Sequence, residues 1–139
     1  MVSSAKNIVR RYLEEVVNTG DLERVQEFVD SNYIDHNDPA GSGIEGAKRH
    51  IRGVRSTWGD LKVTIDEQIE EGDLVVTRCT GRGTHSGRWL GITPTNKPVT
   101  IHAVNIDRIS NGKIVEHRGV ADTFQALFAI GALSVLNER

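Results

Sequence analysis

Cysteine is almost missing from this chain of 139 residues, and Cys79 is the only one. It can form no intrachain disulfide, so the bridge framework of small secreted scaffolds is excluded and a reducing, cytoplasmic setting is expected. Long apolar runs are missing as well. No segment offers 18 uncharged apolar residues, which excludes a membrane-spanning helix. Arg10, Arg11, Glu14 and Glu15 interrupt the first apolar stretch before it could act as a secretory signal. Nor does one sign of charge dominate: 17 Lys+Arg against 19 Asp+Glu leave a formal net charge of −2. The basic residues Arg10-Arg11, Lys48-Arg49, Arg52 and Arg55 fall within helical patterns that also carry acids, so there is no basic stripe and nucleic acid is not the expected partner.

Repeats and low-complexity linkers are absent too, so residues 1–139 read as one domain. A composition 37% hydrophobic and 26% charged suits one core. A domain of this size buries roughly 68–70% of the surface its unfolded chain exposes, enough to fold without disulfides or metal.

What is present is a change of hydrophobic period. Ala5, Ile8, Val9, Tyr12, Leu13, Val16 and Val17 fall at i, i+3, i+4 spacing, which predicts a first helix with Ser3 or Ser4 as its cap. Asn18-Thr19-Gly20 ends it, and Asp21 opens a second helix reaching about Asp30. Ser31 to Gly43 is rich in Asn, Asp, Gly and Ser and reads as an ordered surface loop. Ile44, Ala47, Ile51, Val54 and Trp58 make a third helix.

From Leu61 the period is two. Leu61, Val63 and Ile65 alternate with polar residues, and further strands follow, turned by Glu71-Gly72-Asp73 and by Ser110-Asn111-Gly112, whose Asn-Gly is a strong hairpin signal. Asp122-Thr123 caps a last short helix from Phe124 to Ile130. Helices first and strands afterwards is an α+β order, with helices covering one face of an antiparallel meander.

Three segments together resemble the SnoaL-like polyketide cyclase branch of the NTF2-like superfamily. They are Ile8-Val9-Arg10-Arg11 leading to Asn18-Thr19-Gly20-Asp21, then Gly87-Arg88-Trp89-Leu90-Gly91-Ile92-Thr93-Pro94-Thr95, and Ile109-Ser110-Asn111-Gly112-Lys113-Ile114-Val115-Glu116-His117. The resemblance implies a cone-shaped α+β barrel, a curved antiparallel sheet wrapped around the N-terminal helices with one central pocket for an apolar, polyketide-like small molecule. It further implies intramolecular aldol condensation by acid/base catalysis, with no cofactor and no metal, and a homodimer paired through the outer sheet face. A non-catalytic ligand-binding domain and an isomerase or epoxide hydrolase of the same superfamily are the alternatives.

Aldol closure needs a base beside a carbonyl, a donor for the enolate oxygen and a pocket that folds the substrate onto itself. The family pattern His-x-Asp-x-x-Asp is matched here by His117-Arg118-Gly119-Val120-Ala121-Asp122, so glycine stands at the expected acid/base aspartate, and Asn105 at the usual pocket histidine. The remaining candidates for proton transfer are Asp35, His36, His117 and Asp122. Each has a plainer reading: Asp35 and His36 as exposed loop residues, His117 as a buried histidine satisfying the backbone, Asp122 as a helix cap. Alternation places Ala103, Asn105 and Asp107 on one strand face and His102 on the other. Tyr33, Trp58, Trp89, Asn105 and Phe124 are the candidate ligand-binding residues, with ordinary core packing the alternative for the aromatic ones. The spacing of His36, His85, His102 and His117 matches no metal-ligand motif, and neither a phosphate loop nor a Ser/His/Asp nucleophile motif is present.

Overall fold

A computed structural model describes residues 4–136. Helix α1 (Ala5–Tyr12) starts where the Ser4 side chain accepts the Asn7 N–H, pairing one of the amides that a helix start leaves free. Ser3, the other candidate cap, lies outside the described residues. The helix runs on through Leu13–Val17 as one wide turn, with the Asn18 N–H reaching back to the Leu13 carbonyl in the i→i+5 pattern of a π-turn. Its apolar stripe buries Ile8, Val9 and Val16.

The second helix is shorter than its pattern suggests. A 3₁₀ turn over Leu22–Arg24 leads into α2 (Val25–Phe28), and Asp21 makes no side-chain capping bond. The chain then enters strand β1 (Val29–Asp35), where a loop was expected from Ser31. Helix α3 (Gly43–Thr57) follows. Four further strands, β2 (Lys62–Glu71), β3 (Leu74–Thr84), β4 (Pro98–Ser110) and β5 (Lys113–Ala121), precede a last helix, α4 (Thr123–Ala129).

The five strands form one sheet in the order β1-β5-β4-β3-β2. β2 to β5 are antiparallel neighbours, as expected, but β1 runs parallel to β5, so the sheet is mixed. The edge strands β1 and β2 do not pair, which leaves the sheet curved but unclosed. A parallel neighbour needs a long crossover rather than a tight turn; here β1 is separated from β5 by α3 and the whole meander.

Register shifts fall between Ile65 and Glu67 of β2 and between Arg108 and Ile109 of β4. An extra residue in one strand bends it and tightens its twist, and this is how the sheet wraps around the helices. The main core joins Ile8, Val9 and Val16 to Ile51, Val75 and Ile114 from α3 and the sheet. A second cluster, Trp58, Val99, Ala126 and Ile130, closes the other end. Among the described residues no helix is long and apolar enough to cross a membrane.

Candidate functional site

The concave face of the sheet and the helices leave a cavity of about 240 Å³, just below the roughly 300–1,000 Å³ usual for small-molecule sites. Alternation selects its walls. From β4 come Val99, Ile101, Ala103, Asn105 and Asp107, while His102 turns to the outer face, its Nδ1 3.2 Å from Thr80 Oγ1. From β3, opposite, come Cys79, Gly81 and Gly83; from α3 come Ala47, His50, Ile51 and Val54, and from the residue after it Trp58.

The cavity changes character along its length. Trp58, Leu61, Val99 and Ile101 make an apolar end. Gly83 is required there, since a Cβ would come within 2.8 Å of Trp58 Cβ, whereas a Cβ on Gly81 would meet nothing closer than 3.7 Å. The polar end gathers Tyr12 of α1, Tyr33 of β1, His50 of α3, Asn105 and Asp107 of β4 and His117 of β5.

Asp107 and His117 are direct partners across the β4–β5 pair, and His117 Nδ1 lies 2.7 Å from Asp107 Oδ1. A carboxylate can only accept, so Nδ1 carries the proton, and in the neutral ring Nε2 is left with a free lone pair. Burial works against the imidazolium, but the hydrogen bond and charge of Asp107, helped by Asp35, outweigh it and hold the His117 pKa above the ordinary histidine value.

His50 is shifted the other way. The residue is exposed as well as lining the cavity, yet the protein around its ring penalises a charge and lowers its pKa; Asp35 opposes this, His117 adds to it and Asp38 again opposes it. One imidazole is thus held toward the charged form and the other toward the neutral form within the same site. Burial, reinforced by Asp107 and Asp35, raises both tyrosines, so Tyr12 and Tyr33 remain protonated donors. Burial likewise pushes the Cys79 thiol up, with Asp66 and Asp107 adding to it.

Gly119 stands opposite Asn105, and a Cβ built on it would overlap Asn105 Oδ1. The volume of a side chain at that position is already taken by the Asn105 amide, whose Nδ2 points toward Cys79 Sγ at 3.7 Å. Asn37 holds the Gly119 backbone from the other side: its Nδ2–H donates to the Gly119 carbonyl at 2.6 Å, and the Gly119 N–H donates to its Oδ1 at 2.7 Å. A side-chain amide there takes the place of the next strand residue.

The residues singled out in the sequence are distributed unevenly. His117, Asn105, Tyr33 and Trp58 line the cavity, and Trp58 also belongs to the second core cluster. Asp35 is buried but not in the wall; its Oδ1 accepts the Asn37 and Asp38 N–H groups at 2.9 and 3.3 Å and shapes the turn after β1. His36 lies outside, half-exposed, its Nε2 3.7 Å from Glu116. Asp122 caps α4, accepting the Gln125 N–H at 3.2 Å, and does not reach the cavity. Phe124 is 59% exposed and stacks edge-on against Phe128. Trp89 backs the cavity rather than lining it, packed 5.2 Å from Trp58, centroid to centroid. Tyr12, His50 and Asp107 were not singled out. Asp107 was legible from its face, shared with Asn105; His50 was hidden in the charged run Lys48-Arg49-His50. Among the described residues no three His, Cys, Asp or Glu side chains converge as a metal-ligand set.

Helices and curved sheet together wall this cavity, apolar at one end and carrying the paired imidazole and carboxylate at the other. The family model described as SnoaL-like polyketide cyclase matches residues 7–130, and the chain belongs to that family. It is 29% identical over 121 residues to the nogalonic acid methyl ester cyclase of Streptomyces nogalater, covering 82% of this chain and 88% of that one. It is 27% identical over 127 residues to an aklanonic acid methyl ester cyclase of Streptomyces peucetius, covering 87% and 86%. Among solved structures, TsrD from Streptomyces laurentii superposes with a TM-score of 0.86 at 28% identity, covering 96% of this chain and all (100%) of that one. IdmH from Streptomyces antibioticus gives 0.80 at 29% identity, covering 93% and 99%.

Proposed function

We propose that this protein closes a ring of a polyketide-like keto ester by intramolecular aldol condensation, with His117 as the proton carrier. The observation that carries the reading is the Asp107–His117 pair at 2.7 Å on the cavity wall. Asp107 fixes the tautomer and stabilises the imidazolium once it forms, the role a carboxylate plays behind any histidine base.

The steps balance without an external oxidant or reductant. His117 Nε2 removes a proton from the carbon beside a carbonyl, giving an enolate and an imidazolium. The enolate carbon attacks a second carbonyl carbon of the same molecule, one C–C bond forms, and the resulting alkoxide takes the proton back from Nε2. Asn105 supplies a hydrogen-bond donor at the wall. The apolar end around Trp58 and Leu61 binds the unreactive part of the substrate and excludes water.

This reading accounts for Gly119: the proton-transfer group sits two residues earlier on the same face of β5, so the chemistry needs no carboxylate at the glycine. Incubation with aklanonic and nogalonic acid methyl esters, the compounds named for the relatives, tests it by chromatography of the ring-closed isomers. Conversion is expected. Tight binding of both esters without conversion favours the second reading, a ligand-binding domain, whose supporting observation is the glycine itself.

We also propose a homodimer through the outer sheet face, where Val104 and Val120 stand opposite each other, 42% and 78% exposed. Sedimentation at micromolar concentration should give twice the 15.3 kDa chain mass; a monomer contradicts it.

A further inference from the structure

Five histidines occur in the chain, and four have polar partners: His36 with Glu116, His85 with Thr95, His102 with Thr80 and His117 with Asp107. The His50 side chain makes no hydrogen bond with any described residue, yet it lines the cavity. It faces that cavity from α3, the helix wall, whereas His117 faces it from β5, the sheet wall. Both ring nitrogens of His50 are therefore available to a bound molecule, and a molecule that presents a C–H bond to His117 presents its other side to the helix.

We infer that His50 is a second catalytic residue, an imidazole that donates an N–H hydrogen bond to the enolate oxygen formed when His117 takes the proton. This rests on the proton-transfer reading of His117.

The groups around His50 favour donation over proton carrying. Burial of the ring and His117 across the cavity disfavour the charged form, while Asp35 at the end of β1 and Asp38 in the turn beyond oppose them, and the balance lowers the His50 pKa. A neutral imidazole always keeps one N–H, so it can polarise a carbonyl without first being protonated. Tyr12 and Tyr33 are the competing donors, and Asp35 acts on them as it does on His50, but both also sense the charge of Asp107, which would repel an oxyanion drawn to them. An oxyanion at His50 instead faces the imidazolium newly formed on His117.

The test uses 4-nitrophenol, a flat phenol that ionises near neutral pH and whose anion absorbs separately from the neutral form. Its phenolate imitates an enolate oxygen on an apolar ring, and its binding needs no turnover. His50→Leu should weaken binding of the anion by about tenfold to a hundredfold, the range for a hydrogen bond to a charged group, with little change for the neutral phenol. His50→Gln, which keeps an N–H donor, should stay within a few-fold of the wild type, and circular dichroism of both variants checks the fold. Equal anion affinity in His50→Leu overturns the inference. So does His50→Gln falling as far as His50→Leu, or failure of the wild type to bind the anion. Undiminished ring closure in His117→Gln overturns the proton-transfer reading separately, whatever the phenol shows.

Discussion

The side-chain oxygen of Asn105 occupies the space that a side chain on Gly119 would need. Two positions facing each other across β4 and β5 are therefore coupled: the amide is accommodated because its partner is glycine. Replacing Gly119 by Asp should destabilise the protein by about 1–3 kcal/mol, the usual cost of overpacking a filled site. Removing the obstacle with Asn105→Ala should recover much of that loss, giving a non-additive double-mutant cycle. Urea denaturation of the two single variants and the double variant measures it, and additive effects contradict the coupling.

Asp107→Asn removes the largest influence that raises the His117 pKa and leaves burial, which lowers it. The His117 titration, followed by NMR, should move from above the ordinary value of about 6.5 to below it. If the ring acts as the base, the acidic limb of kcat/KM moves the same way, because the free lone pair then persists to lower pH. A limb that stays in place contradicts the assignment.

Stability should carry the same signature. A histidine whose folded pKa is raised contributes stability that is fully present below the unfolded value of about 6.5 and disappears as pH rises through the folded one. The stability of the wild type relative to His117→Gln should therefore be greatest in mild acid and shrink toward alkaline pH. His50, shifted downward, has the opposite sign, so His50→Gln should gain relative to the wild type as pH falls below about 6.5. Unfolding curves across that range decide it; a His117 difference that grows with pH contradicts the pairing with Asp107.

Gly81 is the position at which cavity size can be changed most cleanly, because a Cβ there would touch Leu61 and an Ile101 carbonyl only at 3.7 and 3.8 Å. Gly81→Val should fold, since valine suits a strand, and should shrink the apolar end. Ligand affinity is expected to fall about tenfold or more while Tm changes little. Unchanged affinity shows that the ligand does not enter that end.

Most of the fold was legible because its elements carry a clear period. The i, i+3, i+4 stripes of α1 and α3 and the alternation along β2, β4 and β5 mark both the element and its inner face, and Asn105 of β4 and His117 of β5, read as facing inward, line the cavity. β1 was not legible. Val29–Asp35 is full of Asp, Ser and Asn, residues that favour turns, and becomes a strand only because β5 offers it hydrogen-bond partners. That missed strand is also why the parallel pairing went unseen. Asp122 shows the opposite case, since its capping role depends on local sequence and was readable.

The site was readable where a single strand decides it and unreadable where several elements meet. Asp107 reaches His117 across strands whose register depends on a bulge at Arg108/Ile109, and His50 enters the cavity from a helix turn surrounded by charge. Phe124 looked like a pocket aromatic by type alone, but the first turn of α4 turns it to solvent.

The central claim is that His117 moves the proton, and the measurement that tests it most directly is single-turnover ring closure by His117→Gln at saturating ester. Glutamine keeps size and polarity but cannot accept and return a proton, so the closure rate should fall about 10²–10⁴-fold, the range for losing an acid/base group, while ester affinity stays within a few-fold. Ring closure at the wild-type rate in this variant contradicts the account.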